Sequence, residues 1–139
     1  MKLSIIIPVF NEEKTIAEII KRVEAVKLGN VSKEIIIVDD GSTDKTLQKI
    51  PKDAVILIKH PKNMGKGAAV KSGISVANGD YVIIQDADLE YDPKYMPILL
   101  EPILNEKAKV VYGTRLNRLP HLSQEEKTKR FLLHYLGNR

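Results

Sequence analysis

Short runs of β-branched residues alternate, from Leu3 to Thr114, with longer stretches whose apolar residues recur every three or four positions. No other feature of the chain constrains its fold so tightly, because this is the pattern of βα repeats feeding a largely parallel sheet. Strands are predicted over residues 3–9, 34–38, 54–59, 81–85 and 109–112. Ile35-Ile36-Ile37-Val38 is apolar on both faces, as strands buried between two helical layers are. The predicted class is α/β, with five strands in one sheet.

Ile16, Ile19, Ile20, Val23 and Val26 mark the first helix. Asn11 is its expected N-cap, Glu12 and Glu13 fall in its first turn, and Gly29-Asn30 is the expected stop. A short second helix is predicted to begin at Ser42 or Thr43, a third to run over 66–77, and a fourth to lie within 93–105. Residues 124–136 read as a last helix, whose Phe131, Leu132 and Tyr135 need cover. The whole span 1–139 is read as one domain, with 116–139 a basic helical segment expected to continue in a longer parent protein.

With 139 residues, 43% of them hydrophobic and 29% charged, and with neither Cys nor Trp, the chain has the composition of one soluble globular domain. Disorder, collagen and disulfide scaffolds are excluded, and with them thiolate chemistry. The apolar runs fall far short of the roughly 20 residues that cross a bilayer, and residues 3–7 read as a first strand rather than a leader. The net charge of +4 comes entirely from the tail: residues 115–139 carry six basic and two acidic side chains, and the remainder is balanced. Such a tail is either a solvated basic helix or a face toward phosphate groups or an anionic surface. Nucleic acid is not an expected partner, since these basic residues are not interleaved with the few aromatics.

In open parallel sheets the ligand crevice lies beyond the carboxyl ends of the strands. Three junctions there are unusual. They are Pro8-Val9-Phe10-Asn11-Glu12-Glu13, Val38-Asp39-Asp40-Gly41-Ser42-Thr43-Asp44 and Gln85-Asp86-Ala87-Asp88-Leu89-Glu90. Asp86 and Asp88, two apart on an extended segment, repel one another unless a divalent cation and a ligand's phosphates lie between them, with Glu90 completing or backing the set. The alternative is loop polarity or a helix cap. Asp39 and Asp40 either accept from ribose hydroxyls and a base N–H, or belong to a cap made by Ser42 or Thr43. Lys66, flanked by Gly65 and Gly67 at a helix start, is a weak phosphate signal on its own. His60, His121 and His134 form no ligand pattern and read as surface or interface residues, and no Ser/His/Asp arrangement is legible.

Taken together, Ile6-Ile7-Pro8-Val9-Phe10-Asn11-Glu12-Glu13, the Asp39–Thr46 segment, Asn63-Met64-Gly65-Lys66-Gly67 and Gln85-Asp86-Ala87-Asp88-Leu89-Glu90-Tyr91-Asp92-Pro93 resemble the family 2 glycosyltransferases. The likeness covers residues 3–115 and is greatest to the polyprenyl-phosphate, dolichol-phosphate mannose synthase-like branch. It implies a Rossmann-like GT-A sheet, mostly parallel, with helices on both faces. Pro8, Asn11 and Glu12 would line a nucleotide pocket, with Asp39 near the base, Asp40 and Ser42 close by, and Lys66 beside the nucleotide. Asp86 would contact ribose or metal, Asp88 and Glu90 would hold Mg²⁺ or Mn²⁺, and Arg115 would lie near the diphosphate or acceptor phosphate.

The activity so implied is inverting transfer of a hexose from a GDP-mannose or UDP-glucose type donor to a polyprenyl or dolichyl phosphate. The resemblance sets this at the cytosolic face of a membrane, with peripheral membrane contact. Family catalytic domains continue past residue 139, so the chain is expected to bind nucleotide and to transfer sugar poorly. Two other readings stay open: transfer to a sugar hydroxyl, and a non-catalytic nucleotide-binding or assembly module whose last helix pairs two copies.

Overall fold

The β-branched runs form strands and the periodic segments form helices, in the order β1 (Lys2–Val9), α1 (Ile16–Ala25), β2 (Ser32–Asp39), β3 (Ile56–Lys59), α2 (Lys66–Val76), β4 (Tyr81–Ile84) and α3 (Met96–Leu104). Short 3-10 turns lie at Thr46–Lys49 and Pro93–Tyr95. The computed structural model describes residues 1–113. The chain divides into two compact units, Met1–Ile98 and Leu99–Arg139.

In the first unit the four strands form one all-parallel sheet in the order β3-β2-β1-β4. Ile5 is in register with Ile35 and Ile6 with Ile36, so odd and even residues of β1 and β2 share opposite faces. On the even face Ile6, Ile36 and Val38 cluster with Ala69 of α2. A Cβ on Gly73 would come within 2.5 Å of Ile6 Cγ2, so α2 rests on β1 through that glycine.

On the odd face Ile5, Ile7 and Ile37 are just as fully buried. Lys33, in register with Leu3 on that face, donates through its ammonium to the carbonyls of Val23, Glu24 and Val26 at 2.8, 2.6 and 2.6 Å. It closes the negative C-terminal end of α1 and locates that helix on the odd face. Chain direction gives the same answer: β1, β2 and β3 step outward, and β4 returns to the other side of β1. Right-handed crossovers then put α1 and α2 on opposite faces.

At the amino ends of the strands, Ser4 and Glu34 face each other. Glu34 accepts from the Ser4 hydroxyl at 2.6 Å and the Asn78 N–H at 2.7 Å, and pairs with the Lys2 ammonium. Burial alone would raise the Glu34 pKa, but these partners outweigh it and hold the carboxyl at about 2, against an ordinary 4.5. The stabilisation is therefore fully present above about pH 4.5 and is lost as the pH falls toward 2. It amounts to about 2 kcal/mol once solvent screening is allowed for. Thermal melts between pH 7 and 2 should show a steeper acid loss for the wild type than for Glu34→Gln; parallel curves would remove this assignment.

Several local expectations are corrected. The first helix has Thr15, not Asn11, at its N-cap position and ends at Ala25, ahead of Gly29-Asn30. The Glu12 carbonyl already accepts the Thr15 and Ile16 N–H groups at 3.1 and 3.0 Å, so a turn precedes the helix. The second helix is only the 3-10 turn at Thr46–Lys49. Ser42 and Thr43 do not start it, because both are bonded to Asn11.

In the second unit, the Lys107 and Ala108 N–H groups fold back on the Pro102 carbonyl at 2.9 and 3.1 Å and close the end of α3. The predicted fifth strand at 109–112 does not form among the described residues, and Val110 and Tyr112 are 66% and 75% exposed. Propensity alone cannot hold a strand whose backbone groups have no partner strand. The expected helix over 124–136 lies outside the described residues.

Candidate functional site

Pro8 opens the site. The Ile6 carbonyl accepts the Gln85 N–H at 2.9 Å, so even positions of β1 direct their backbone groups toward β4. That pairing ends at Ile6 and Ile84, two residues before Pro8, whose missing N–H therefore falls where no partner strand remains. Beyond that point the two strands part. The strand order reverses between β1 and β4, which makes the gap the sheet's switch point. A cleft of about 340 Å³ opens there, lined by Pro8 at the end of β1 and Glu12 after it, Asp40 after β2, Asn63 and Lys66 around the start of α2, and Asp86 and Asp88 after β4. Four segments distant in sequence thus share one cavity.

Asp40 is 3% exposed and fully engaged. Its Oδ1 accepts the Met64 N–H at 2.9 Å and lies 2.6 Å from His60 Nδ1, while Oδ2 accepts the Gly65 N–H at 2.8 Å. Burial would raise its pKa, but His60 and the two amides reverse the sign and keep the carboxyl below its ordinary value. Gly41 follows with φ +78°, and a Cβ there would stand 2.5 Å from the Lys62 carbonyl carbon. Only glycine lets the chain after β2 pass so close beneath the 62–65 loop.

Asn11, Asp39, Ser42 and Glu90 do not line the cleft. Asn11, at φ +55°, acts as a clasp: its N–H donates to Ser42 Oγ at 2.9 Å, and its Oδ1 accepts the Thr43 N–H at 2.8 Å. Glu12 is held beside it, its N–H donating to the buried Thr46 hydroxyl at 2.8 Å and its carboxylate accepting from Thr15 at 2.7 Å. Asp39 is buried, and among the described residues only the Ser42 N–H approaches its two oxygens, at 3.4 Å each. Arg115 lies outside the described residues.

Lys66 begins α2, and its ammonium lies 2.6 Å from Asp86 Oδ1. Asp88 is exposed, its Oδ1 accepting the Glu90 N–H at 2.9 Å. The loop that carries both aspartates is stapled from below by buried Gln85, whose amide donates to the carbonyls of Asp86 and Tyr91 at 3.1 and 2.8 Å. Among the described residues no three acidic or His side chains are arranged as a metal cage. The pair Asp86 and Asp88 nevertheless fits a hard divalent cation of the Mg²⁺ kind, which takes one or two carboxylates and fills its other positions with substrate phosphates and water. His60, expected at the surface or an interface, instead has a buried side chain bonded to Asp40 and Ser72; Gln85 and Thr46 carried no expected role, because nothing in their neighbours signals the groups they bond.

An all-parallel sheet with this cleft at its switch point has the fold of the GT-A glycosyltransferases. The chain belongs to glycosyl transferase family 2, whose family model matches residues 4–139. A dodecaprenyl-phosphate galacturonate synthase of Rhizobium johnstonii is 34% identical over 125 residues, covering 85% of this chain and 37% of that protein. A dolichol-phosphate mannosyltransferase of Pyrococcus furiosus is 38% identical over 119 residues, covering 83% and 33%. The chain thus spans about a third of the length of these curated relatives. Among solved structures, glucosyl-3-phosphoglycerate synthase of Mycobacterium tuberculosis, crystallised with Mn²⁺, UDP and glucosyl-3-phosphoglycerate, superposes with a TM-score of 0.63. It is 30% identical, over 74% of this chain and 39% of that one.

Proposed function

We propose that this chain is the donor-binding part of an inverting, divalent-metal-dependent glycosyltransferase that moves a hexose from a nucleotide-diphosphate sugar to a polyprenyl phosphate. The observation that carries the reading is the single cleft uniting Pro8, Glu12, Asp40, Lys66, Asp86 and Asp88. In support, the relatives' names include polyprenyl-phosphate sugar transferases, and a solved neighbour was crystallised with UDP and Mn²⁺.

Asp86 and Asp88 hold Mg²⁺ or Mn²⁺ together with the donor diphosphate, and Glu90 backs Asp88 through its N–H. The cation, when bound, supplies neutralisation of the charge that builds on the departing nucleoside diphosphate. Lys66 and the N-terminal turn of α2 offer further positive charge to those phosphates. Glu12 and Asp40 line the nucleoside side, Asn11, Asp39 and Ser42 support it from behind through the clasp between the loops after β1 and β2, and Arg115 serves the diphosphate or acceptor phosphate. A lipid-phosphate acceptor is already anionic near neutral pH, so its oxygen attacks the anomeric carbon without a strong general base.

This reading places the parent protein at the cytosolic face of a membrane. Among the described residues no helix is long and apolar enough to cross one. Titration calorimetry with GDP and UDP in Mn²⁺, then in EDTA, checks the donor site. One nucleotide should bind in a chelator-sensitive manner, and a folded chain that binds neither refutes the reading.

A further inference from the structure

Asp40 receives three donors, and one of them continues into helix α2. His60 Nδ1 lies 2.6 Å from Asp40 Oδ1, and His60 Nε2 lies 2.9 Å from Ser72 Oγ. With the Asp40 carboxylate ionised, these partners assign a ring proton to Nδ1, and Nε2 shares the second bond with the Ser72 hydroxyl. The order Asp, His, Ser is that of a nucleophile relay, but the surroundings oppose such a use. Ser72 lies in the interior of α2 (Lys66–Val76), where the backbone N–H groups are spent on helical bonds and leave no pair to stabilise an oxyanion.

The chain of bonds ties three elements instead. Asp40 follows β2. His60 follows β3, its own N–H donating to the Asp39 carbonyl at 2.8 Å. Ser72 is in the second turn of α2. The same Asp40 carboxylate holds the N–H groups of Met64 and Gly65, the two residues directly before Lys66. The 62–65 loop and the start of α2 are thereby fixed from both sides. The side chains of His60 and Asp40 are only 8% and 5% exposed, so water competes little for these bonds.

We propose that His60 is a positioning residue for donor binding: through Asp40 and Ser72 it locks the loop and α2, so that Lys66 and the helix's first turn are preset for a diphosphate. The proposal rests on the nucleotide-binding reading above. Without the lock, the loop must be ordered at the moment of binding, and affinity falls.

Three readouts on the ¹⁵N-labelled chain test it. The His60 ring should show the Nδ1–H tautomer. Amide exchange at Met64 and Gly65 should rise at least about tenfold in His60→Ala beyond any rise at the β1 amides, which report global opening. Calorimetry with GDP and UDP in Mn²⁺ should show binding about tenfold weaker in His60→Ala and recovered to within about threefold in His60→Asn, whose Nδ2–H can replace Nδ1–H toward Asp40. Should His60→Ala fail to fold, Ser72→Ala removes only the bond to α2 and should weaken binding about threefold.

Unchanged exchange at Met64 and Gly65, or wild-type affinity in folded His60→Ala, would overturn the proposal, as would an Nε2–H tautomer. A wild-type chain that binds neither nucleotide removes the donor reading and the role in binding with it. The exchange data then report separately on whether His60 locks the loop.

Discussion

In Mn²⁺, the Asp88→Asn chain is expected to bind its nucleoside diphosphate about 100-fold more weakly than wild type, a loss of about 2.7 kcal/mol. Adding EDTA should bring the two proteins to the same residual affinity. Asp86 and Asp88 are the two carboxylates proposed to hold the cation, and an amide in place of Asp88 withdraws a full negative charge and halves that pair. The fold should be indifferent to the change. Asp88 is exposed, and its bond within the protein, from the Glu90 N–H at 2.9 Å to Oδ1, is kept by the amide oxygen of Asn. A melting temperature equal to wild type with lost binding is thus the expected pair of results. Equal affinities in Mn²⁺ would show that Asp88 holds no metal.

Asp40→Asn should behave in the opposite way, costing stability before anything else. Its two oxygens are committed to His60 and to the Met64 and Gly65 N–H groups. An amide can present only one oxygen, so in either orientation an N–H faces another N–H in a buried site. The expected cost is about 3 kcal/mol, seen as a fall of roughly 10 °C in melting temperature for a domain of this size. Asp39→Asn is the control. Asp39 is equally buried, but among the described residues only the Ser42 N–H approaches its carboxylate, at 3.4 Å, and the expected cost is about 1 kcal/mol or less. If both variants melt alike, the bonds drawn to Asp40 do not carry the loop.

The contrast between the neighbouring aspartates shows what sequence reading could reach. Asp39-Asp40 was legible as a pair of carboxylates at a strand end, and so were Pro8, Lys66, Asp86 and Asp88, because strand periodicity locates the carboxyl edge of a parallel sheet. That edge is where the cleft opens. Which of two adjacent carboxylates faces the cavity is a question of register after the strand has ended, and no periodicity continues there. Asn11 makes the same point: it was read as a helix cap, and it clasps the loop after β2 instead, through bonds to residues more than 30 positions away.

The sequence by itself determined the class of the fold, the strands β1 to β4 in their order along the chain, the helices α1 to α3 and the strand ends that carry the chemistry. All of these follow from local patterns of period two and 3.6 and from glycine and proline punctuation. Tertiary structure alone decided that β4 returns beside β1, that the 109–112 run forms no strand among the described residues, and that Lys66 meets Asp86. It also decided that His60 joins Asp40 to Ser72. Each of these depends on a partner far away in sequence, and the free energy of a hydrogen bond or ion pair belongs to the pair, so neither residue announces it alone.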